Sequence, residues 1–504
     1  MRKIILAIAV STSIAGCSKL DEKLGNQLSS SPSTGGGGVN AAGLLSATYD
    51  AMRGPYQDQS RVWAAQEHTT DEVIGPTRAG DWDDNGVWRV LHSHQWDPNH
   101  GFLADTYRDL GRVVFSATDL LRFNPTPQQQ AEARLLRAFA MFSLVDGWDQ
   151  VPYRENTGDP LEVPKVRKGS EALDFVISEI NAIINDLPNT PVNRANKNGA
   201  RALLMKCYLN RGVYANRKAP TFAAADMNQV ITLANQIMAG GYTLNANYFD
   251  NFAPTNNVLS TENIWTAENI GGSSSGNVRS RWFCTLHYNM NPSGWNGFTT
   301  LSDFYDKFDP TDKRRGGPYT GQTNISGINV GLLLGQQKNQ NGVDLLDRTG
   351  AKLSFTKEVK LVETGKNLEV TGIRVVKYPI DYAGGDNSNN DYVYFRLADV
   401  LLMKAEAILR GGTDPNGQTA VQLVNLLKAR AGLPAATSIN LDQLLDERGR
   451  ELYWEGWRRN DLIRFGKFLN AWQEKAASDA KRLLFPIPAR SLAANPNLVQ
   501  NEGY

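Results

Sequence analysis

EALDFVISEINAIINDL, residues 171–187, decides the fold class. Leu173, Val176, Ile177, Ile180, Ile183, Ile184 and Leu187 recur at steps of three and four, which draws one apolar stripe along a helix. Ser170 stands where an N-cap belongs, and Pro188 lies beyond the last turn. Working outward, residues 199–214 and 222–239 repeat the pattern as a helix–turn–helix pair. Ala200, Ala202, Ala224 and Ala234 let the two helices approach closely, and Gly240-Gly241 closes the second. Upstream, residues 40–53, 102–123 and 131–146 read as helices. Pro125 and Pro127 break the chain between the last two, and Leu135, Ala138, Phe142 and Val145 line one face of the third. Periodicity returns at 395, where Leu397, Leu401, Ala405 and Ile408 share a face, and continues at 418–430 and 441–465. Helix pairs of about 35–45 residues are spaced like degenerate tetratricopeptide-type repeats.

Residues 241–394 differ. They are rich in Gly, Asn, Ser and Tyr, and short alternating pieces at 353–361 and 368–376 predict strands. The fold class is therefore mainly α: a tetratricopeptide-like helical-pair scaffold over 40–240 and 395–504, carrying an irregular loop-rich insertion over 241–394 that contains short strands. The last twenty residues hold Pro486, Pro488 and Pro496 and should form an extended tail packed against the body. The charge-dense run ERGRELYWEGWRR, 447–459, reads as a salt-bridged helix surface packed against its neighbours.

The 504 residues carry a formal net charge of +1, with 21% charged and 41% hydrophobic side chains. That balance lacks the basic footprint of a nucleic-acid binder. The three cysteines, Cys17, Cys207 and Cys284, cannot build a disulfide framework. Cys207 lies on an apolar helical face, and a Cys207–Cys284 bridge stays open.

The N-terminus reads as an address. Arg2 and Lys3 precede an apolar run, Ile4 to Val10, that is too short to span a bilayer. Ile14-Ala15-Gly16-Cys17 then matches a lipoprotein cleavage box. Residues 1–16 are expected to be a signal peptide and Cys17 the lipidation site. Residues 17–39, with SSSPSTGGGG at 29–38, would be a flexible tether ahead of a single domain over 40–504. No later segment has the roughly eighteen apolar residues of a transmembrane helix, so the membrane partner is met through the lipid.

Ligand chemistry concentrates in RAGDWDDNGVWRVLHSHQW, residues 78–96. Trp82, Trp88 and Trp96 stand there beside Arg78, Asp81, Asp83 and Asp84. Gly80, Gly86 and the Asp-Asn-Gly turn mark the stretch as loop. Flat rings beside carboxylates and guanidinium groups suit a sugar, whose C–H face stacks while its hydroxyls take hydrogen bonds. A second aromatic group, Trp282, Tyr288 and Trp295, falls in 281–298, with Trp295 between glycines at a loop tip. Trp82 and Trp295 are the expected stacking faces, with Arg78, Asp81, Trp88, Trp282 and Tyr288 as neighbours. Any one of these rings would serve equally as core.

His68, His92, His94 and His100 lie near Asp71, Glu72 and Asp97 without a second ligand pair at a zinc spacing, so no metal site is expected. Asp81-x-Asp83-x-Asn85-Gly86 matches half of an EF-hand, but the twelfth position is His92 rather than Glu. No cofactor is expected, with calcium kept open at this loop and at 381–391. Asp81, Asp83, Asp84 and Glu72 supply carboxylates that a glycoside hydrolase would need. Neither a P-loop nor a dinucleotide fingerprint occurs, and no catalytic residue is assigned.

The lipobox, EARLLRAFAMFSLVDGWDQVPY (132–153), YFRLADVLLMKAEAILRGG (394–412), RGRELYWEGWRRNDLIRFGKF (448–468) and FPIPARSLAANPNLVQNEGY (485–504) together resemble the SusD/RagB family, in the same order over nearly the whole chain. The resemblance implies a non-enzymatic outer-membrane lipoprotein, lipid-anchored and exposed at the cell surface. It would capture an oligosaccharide on aromatic loops and act as the lid of a SusC-like TonB-dependent transporter. Some members serve peptides or other nutrients, which is the alternative in the same role. A hydrolase is the more distant one.

Overall fold

Helical periodicity becomes a stack of packed helices. The elements α1 (Ala41–Gln57), α2 (Val62–Glu67) and α3 (Val87–His92) lead to the long pair α4 (Gly101–Leu120) and α5 (Pro127–Trp148). A short ribbon follows, β1 (Gln150–Tyr153) antiparallel to β2 (Lys165–Lys168), and then α6 (Gly169–Ile183), α7 (Lys197–Ala215) and α8 (Ala224–Met238). α1 packs on α4 and α5, and from α4 to α8 every helix packs on its successor. The computed structural model describes residues 40–155, 161–273 and 276–504. The expected signal peptide, the expected lipidation site Cys17 and the expected tether lie outside them.

Local chemistry places most boundaries. Thr126 caps α5 in a reciprocal box with Gln129, and Pro127 takes the first helical position, where a missing N–H costs nothing. The helix thus starts before the apolar pattern at 131 suggested. α6 buries Leu173, Val176, Ile177, Ile180 and Ile183, each contributing about 1.5–3 kcal/mol. Its N-cap is Lys168, not Ser170, because Lys168 still pairs with Gln150 in the ribbon and Gly169 N–H is held by Asp149 O at 3.0 Å.

The insertion leaves the stack and returns to it. It carries the short helices α9 (Asn256–Leu259), α10 (Ser280–Phe283), α11 (Ser302–Tyr305) and α12 (Thr323–Ser326). Its strands are β3 (Asn263–Ala267), β4 (Gly316–Gly317), β5 (Val330–Leu333), β6 (Gly335–Gln336), β7 (Ser354–Phe355), β8 (Arg374–Val376) and β9 (Tyr392–Arg396). Within the two stretches expected as strands, only β7 and β8 form. β3 pairs antiparallel with β9, which closes the neck of the insertion. Immediately after β9, α13 (Leu397–Leu409) packs back on α8, so the superhelix continues as though the insertion were absent. α14 (Ala420–Arg430) and α15 (Leu441–Leu452) pack on α13. The expected helix over 441–465 is split: α15 ends at Leu452 and α16 (Arg458–Arg464) restarts after a turn in which Trp454 and Gly456 adopt φ of 62° and 83°. Buried carboxylates draw that backbone aside, since Trp454 N–H donates to Glu72 and Gly456 N–H to Glu67. The tail is not wholly extended, because α17 (Ala489–Ala494) forms within it, while Phe485 and Ile487 are buried.

The 447–459 run is a correction. Glu447, Arg448, Glu451, Glu455, Arg458 and Arg459 are buried, not on a surface. Arg396 Nη1 lies 2.6 Å from both Glu262 and Glu451, and its Nη2 lies 2.7 Å from Glu455. Arg314, from the insertion, meets Asp312, Glu447 and Glu451 at 2.7–2.9 Å. Arg448 bridges Asp399 and Asp461. Charges of this density stay inside only when each is paired, and here several partners, Glu262, Arg314, Arg396 and Asp399 among them, come from segments far away in sequence. Cys207 and Cys284 are both buried and free, so they form no bridge.

Candidate functional site

Three segments converge on the tryptophan-rich loop at 78–88: 283–298, 348 and 363–371. Residues 78–80 and 84–86 are single 3-10 turns, and Val87–His92 is helical, so the stretch is not all loop as expected. Gly86 ends the turns in a left-handed conformation, φ 82°, that lets α3 begin at once.

The structure sorts the expected residues into support and surface. Trp82 is only 8% exposed; its ring lies against Phe298 and Trp88, and its indole N–H donates to Trp295 O at 2.7 Å. Trp88 is buried between His68, Phe102 and Phe298, with its N–H on Asp84. Trp282 is buried in α10. Arg78 is 4% exposed and reaches across the back of the site, to Asn296 O, Gly297 O, Leu368 O and the carboxylate of Glu363. Burial lowers its pKa to about 10, and Glu363 opposes the shift. Arg78 therefore positions loops and does not reach solvent.

Trp295, Tyr288 and Asp81 are at the surface. Trp295 is 45% exposed, set edge-on to Phe283 with ring centroids 4.8 Å apart. Its loop is pinned by Trp295 N–H on Phe283 O and Gly297 N–H on Cys284 O. Gly297 is required here: a Cβ would come within 2.3 Å of the Trp82 ring. Half-buried Tyr288 lies under the guanidinium of Arg348, 4.0 Å from the ring centroid. Arg348 also pairs with Glu369 at 2.5 Å and reaches Asp81 at 3.9 Å. Arg348 was not singled out by sequence. It sits in an ordinary Asp-Arg-Thr-Gly turn, and only the fold brings it to Tyr288. The same holds for Phe283. We read these groups, the exposed indole on one side of Trp82 and the phenol, guanidinium and carboxylates of Tyr288, Arg348, Asp81 and Glu369 on the other, as one open platform.

The other candidate groups are engaged elsewhere. Asp83 pairs with Arg89, and Asp381 accepts three backbone N–H groups, from Ala383, Gly384 and Asn389. His68 sits among Trp63, Trp88 and Phe298, and His94 among Trp96, Phe468 and Trp472. Burial holds both well below the usual histidine pKa. Asp71 is taken by Arg458. Among the described residues no group of three or more His, Cys, Asp or Glu is placed to hold a metal ion, and no helix is long and apolar enough to cross a membrane.

Residues 261–479 match the model of the SusD family. The starch-binding protein SusD of Bacteroides thetaiotaomicron is 26% identical, over 94% of this chain and 90% of its own. A laminarin-binding SusD-like protein superposes with a TM-score of 0.67 at 22% identity, over 92% of this chain and 99% of that one. Surface glycan-binding protein A of Bacteroides thetaiotaomicron, solved with laminarihexaose, does so with a TM-score of 0.65 at 19% identity, over 92% and 98%. With the motifs in order, the helical stack interrupted once between α8 and α13, and relatives of this kind along nearly its full length, the chain resembles the SusD family in sequence and fold.

Proposed function

We propose that the protein binds an oligosaccharide at the cell surface and passes it to a SusC-like TonB-dependent transporter, acting as its lid. The observation that carries the binding role is the exposed indole of Trp295, whose backbone is held by Trp82, the neighbour in sequence of Asp81 in the Tyr288–Arg348–Asp81 cluster. An aromatic face rimmed by fixed polar groups takes the C–H face and hydroxyls of a sugar. Named relatives that bind starch and laminarin support the same reading. The anchor at Cys17 and the transporter partnership rest on the lipobox and the family resemblance.

Catalysis is not proposed. A glycosidase needs one carboxyl held protonated beside a second, ionised one. At the platform Glu363 is paired with Arg78 and Glu369 with Arg348, and hydrogen bonds from His287 and Arg348 keep Glu369 below the usual carboxylate range against the cost of burial. No cofactor is proposed either, calcium included, because the carboxylates of Asp83 and Asp381 are already occupied within the fold.

The test is a glycan-binding screen on soluble protein spanning 41–504, wild type beside Trp295→Ala. Binding to one polysaccharide class that is lost in Trp295→Ala supports capture at the platform. Binding to peptides but to no glycan would replace the ligand class, and release of reducing ends would replace the role.

A further inference from the structure

A cleft of about 430 Å³ opens between α1, the first turns of α5 and β3, and shares no residue with the platform. Leu45, Met52, Leu136 and Trp265 make its apolar floor. One wall is polar and built. Glu132, 1% exposed, takes hydrogen bonds from Tyr49 Oη at 2.6 Å, Arg194 Nη2 at 2.6 Å and Gln128 Nε2 at 2.8 Å. Opposite, Arg53 donates to Glu268 O and pairs with Asp50, while Asn193 Nδ2 donates to Glu268. Two buried polar atoms on the lining residues have no partner among the described residues: Asn193 Oδ1 and the Tyr394 hydroxyl.

We propose that this cleft is a second carbohydrate subsite, which takes a neutral sugar residue. The proposal rests on the reading that the chain binds glycans, and places a separate site on the scaffold. Charge selects the class. Asp50, Glu132 and Glu268 outnumber Arg53 and Arg194, and both guanidinium groups are already paired. A uronate or sulfated sugar would therefore meet net repulsion. A neutral ring meets an apolar floor, the amides of Gln128 and Asn193, and carboxylate oxygens able to accept hydroxyl protons.

The experiment is hydrogen exchange on the 41–504 protein carrying Trp295→Ala, with laminarihexaose, maltohexaose or an oligogalacturonate added. Slowed exchange in 42–53 and 126–136 with a neutral oligomer, absent with the oligogalacturonate, is the expected result. Ser46→Trp, at an exposed position on the cleft mouth, should abolish that protection without unfolding the chain. No protection there, while the same sugar still binds protein with Trp295 intact, overturns the second subsite and leaves the platform standing. Protection that survives Ser46→Trp, or that is equal with the oligogalacturonate, also overturns it. Binding of no neutral oligomer to either protein overturns both.

Discussion

The indole N–H of Trp82 donates to the backbone carbonyl of Trp295 across 2.7 Å, so a buried tryptophan holds an exposed one in place. The two rings do different work, and substitution separates them. Trp295→Ala removes a ring that is nearly half in solvent; stability should fall by about 1 kcal/mol or less, while glycan affinity falls about tenfold or more. Trp82→Phe leaves the Trp295 carbonyl without its donor and should cost about 1–3 kcal/mol, with a smaller loss of affinity. Thermal unfolding beside calorimetric titration of both variants reads the difference.

Gly297→Ala tests the same support from the other side. The added methyl group would meet the Trp82 ring at 2.3 Å, a distance no packing tolerates. Trp82 must move, at about 1–3 kcal/mol, and the Trp295 loop moves with it. A lowered melting temperature with weakened glycan binding is expected; wild-type values for both would show that the loop absorbs the methyl group freely.

Arg396 joins β9 to three carboxylates, Glu262, Glu451 and Glu455, with no solvent access. Arg396→Leu strands all three and should destabilise by about 3–5 kcal/mol. Arg112→Leu, which removes the exposed end of the Arg112–Asp109 pair on α4, should change stability by about 0.5 kcal/mol at most. Denaturant unfolding of the two variants checks the contrast.

Glu67 and Glu72 are buried beside one another and hold the backbone turn at Trp454–Gly456. Burial, then their mutual repulsion, raises Glu67 well above the carboxylate range. Glu72 is pushed up to about 7, chiefly by burial, against the pull of Arg458. The folded state therefore binds a proton more tightly than the unfolded chain. This contribution to stability is fully present below the ordinary carboxylate pKa near 4.5 and is lost as pH rises through about 7. Glu67→Gln, which keeps an acceptor for Gly456 N–H without the acid, should flatten stability between pH 5 and pH 8, roughly. Melting temperatures across that range decide it, and an unchanged slope counts against a protonated Glu67.

Cys17 is proposed to carry the membrane anchor. Full-length Cys17→Ala expressed in a lipoprotein-processing host should leave the membrane fraction and fail to incorporate labelled palmitate. Retention of both properties would remove the anchor.

Much of the scaffold was legible in sequence because helices announce themselves locally. The stripe of α6, the box at Thr126–Gln129 and the helical period of α13 depend on residues within a few turns. The platform was legible only by residue type. Sequence ranked Trp82 with Trp295 as the stacking faces and set Trp88, Trp282 and Tyr288 beside them, since an aromatic residue in a polar loop reads the same whether its ring faces solvent or protein. Arg348, with no motif around it, could not be found at all.

Periodicity and motifs in the sequence alone thus determined a paired-helix stack interrupted once, and the family it resembles. The tertiary structure alone decided that the 447–459 charges lie inside, that α15 and α16 are separate, and that Trp82 supports while Trp295 is presented. The physical reason is reach. A helix face is set by neighbours three and four residues away. Whether a charge or a ring is buried is set by partners such as Arg396 for Glu451, or Trp295 for Trp82, that only the completed fold brings within hydrogen-bond distance.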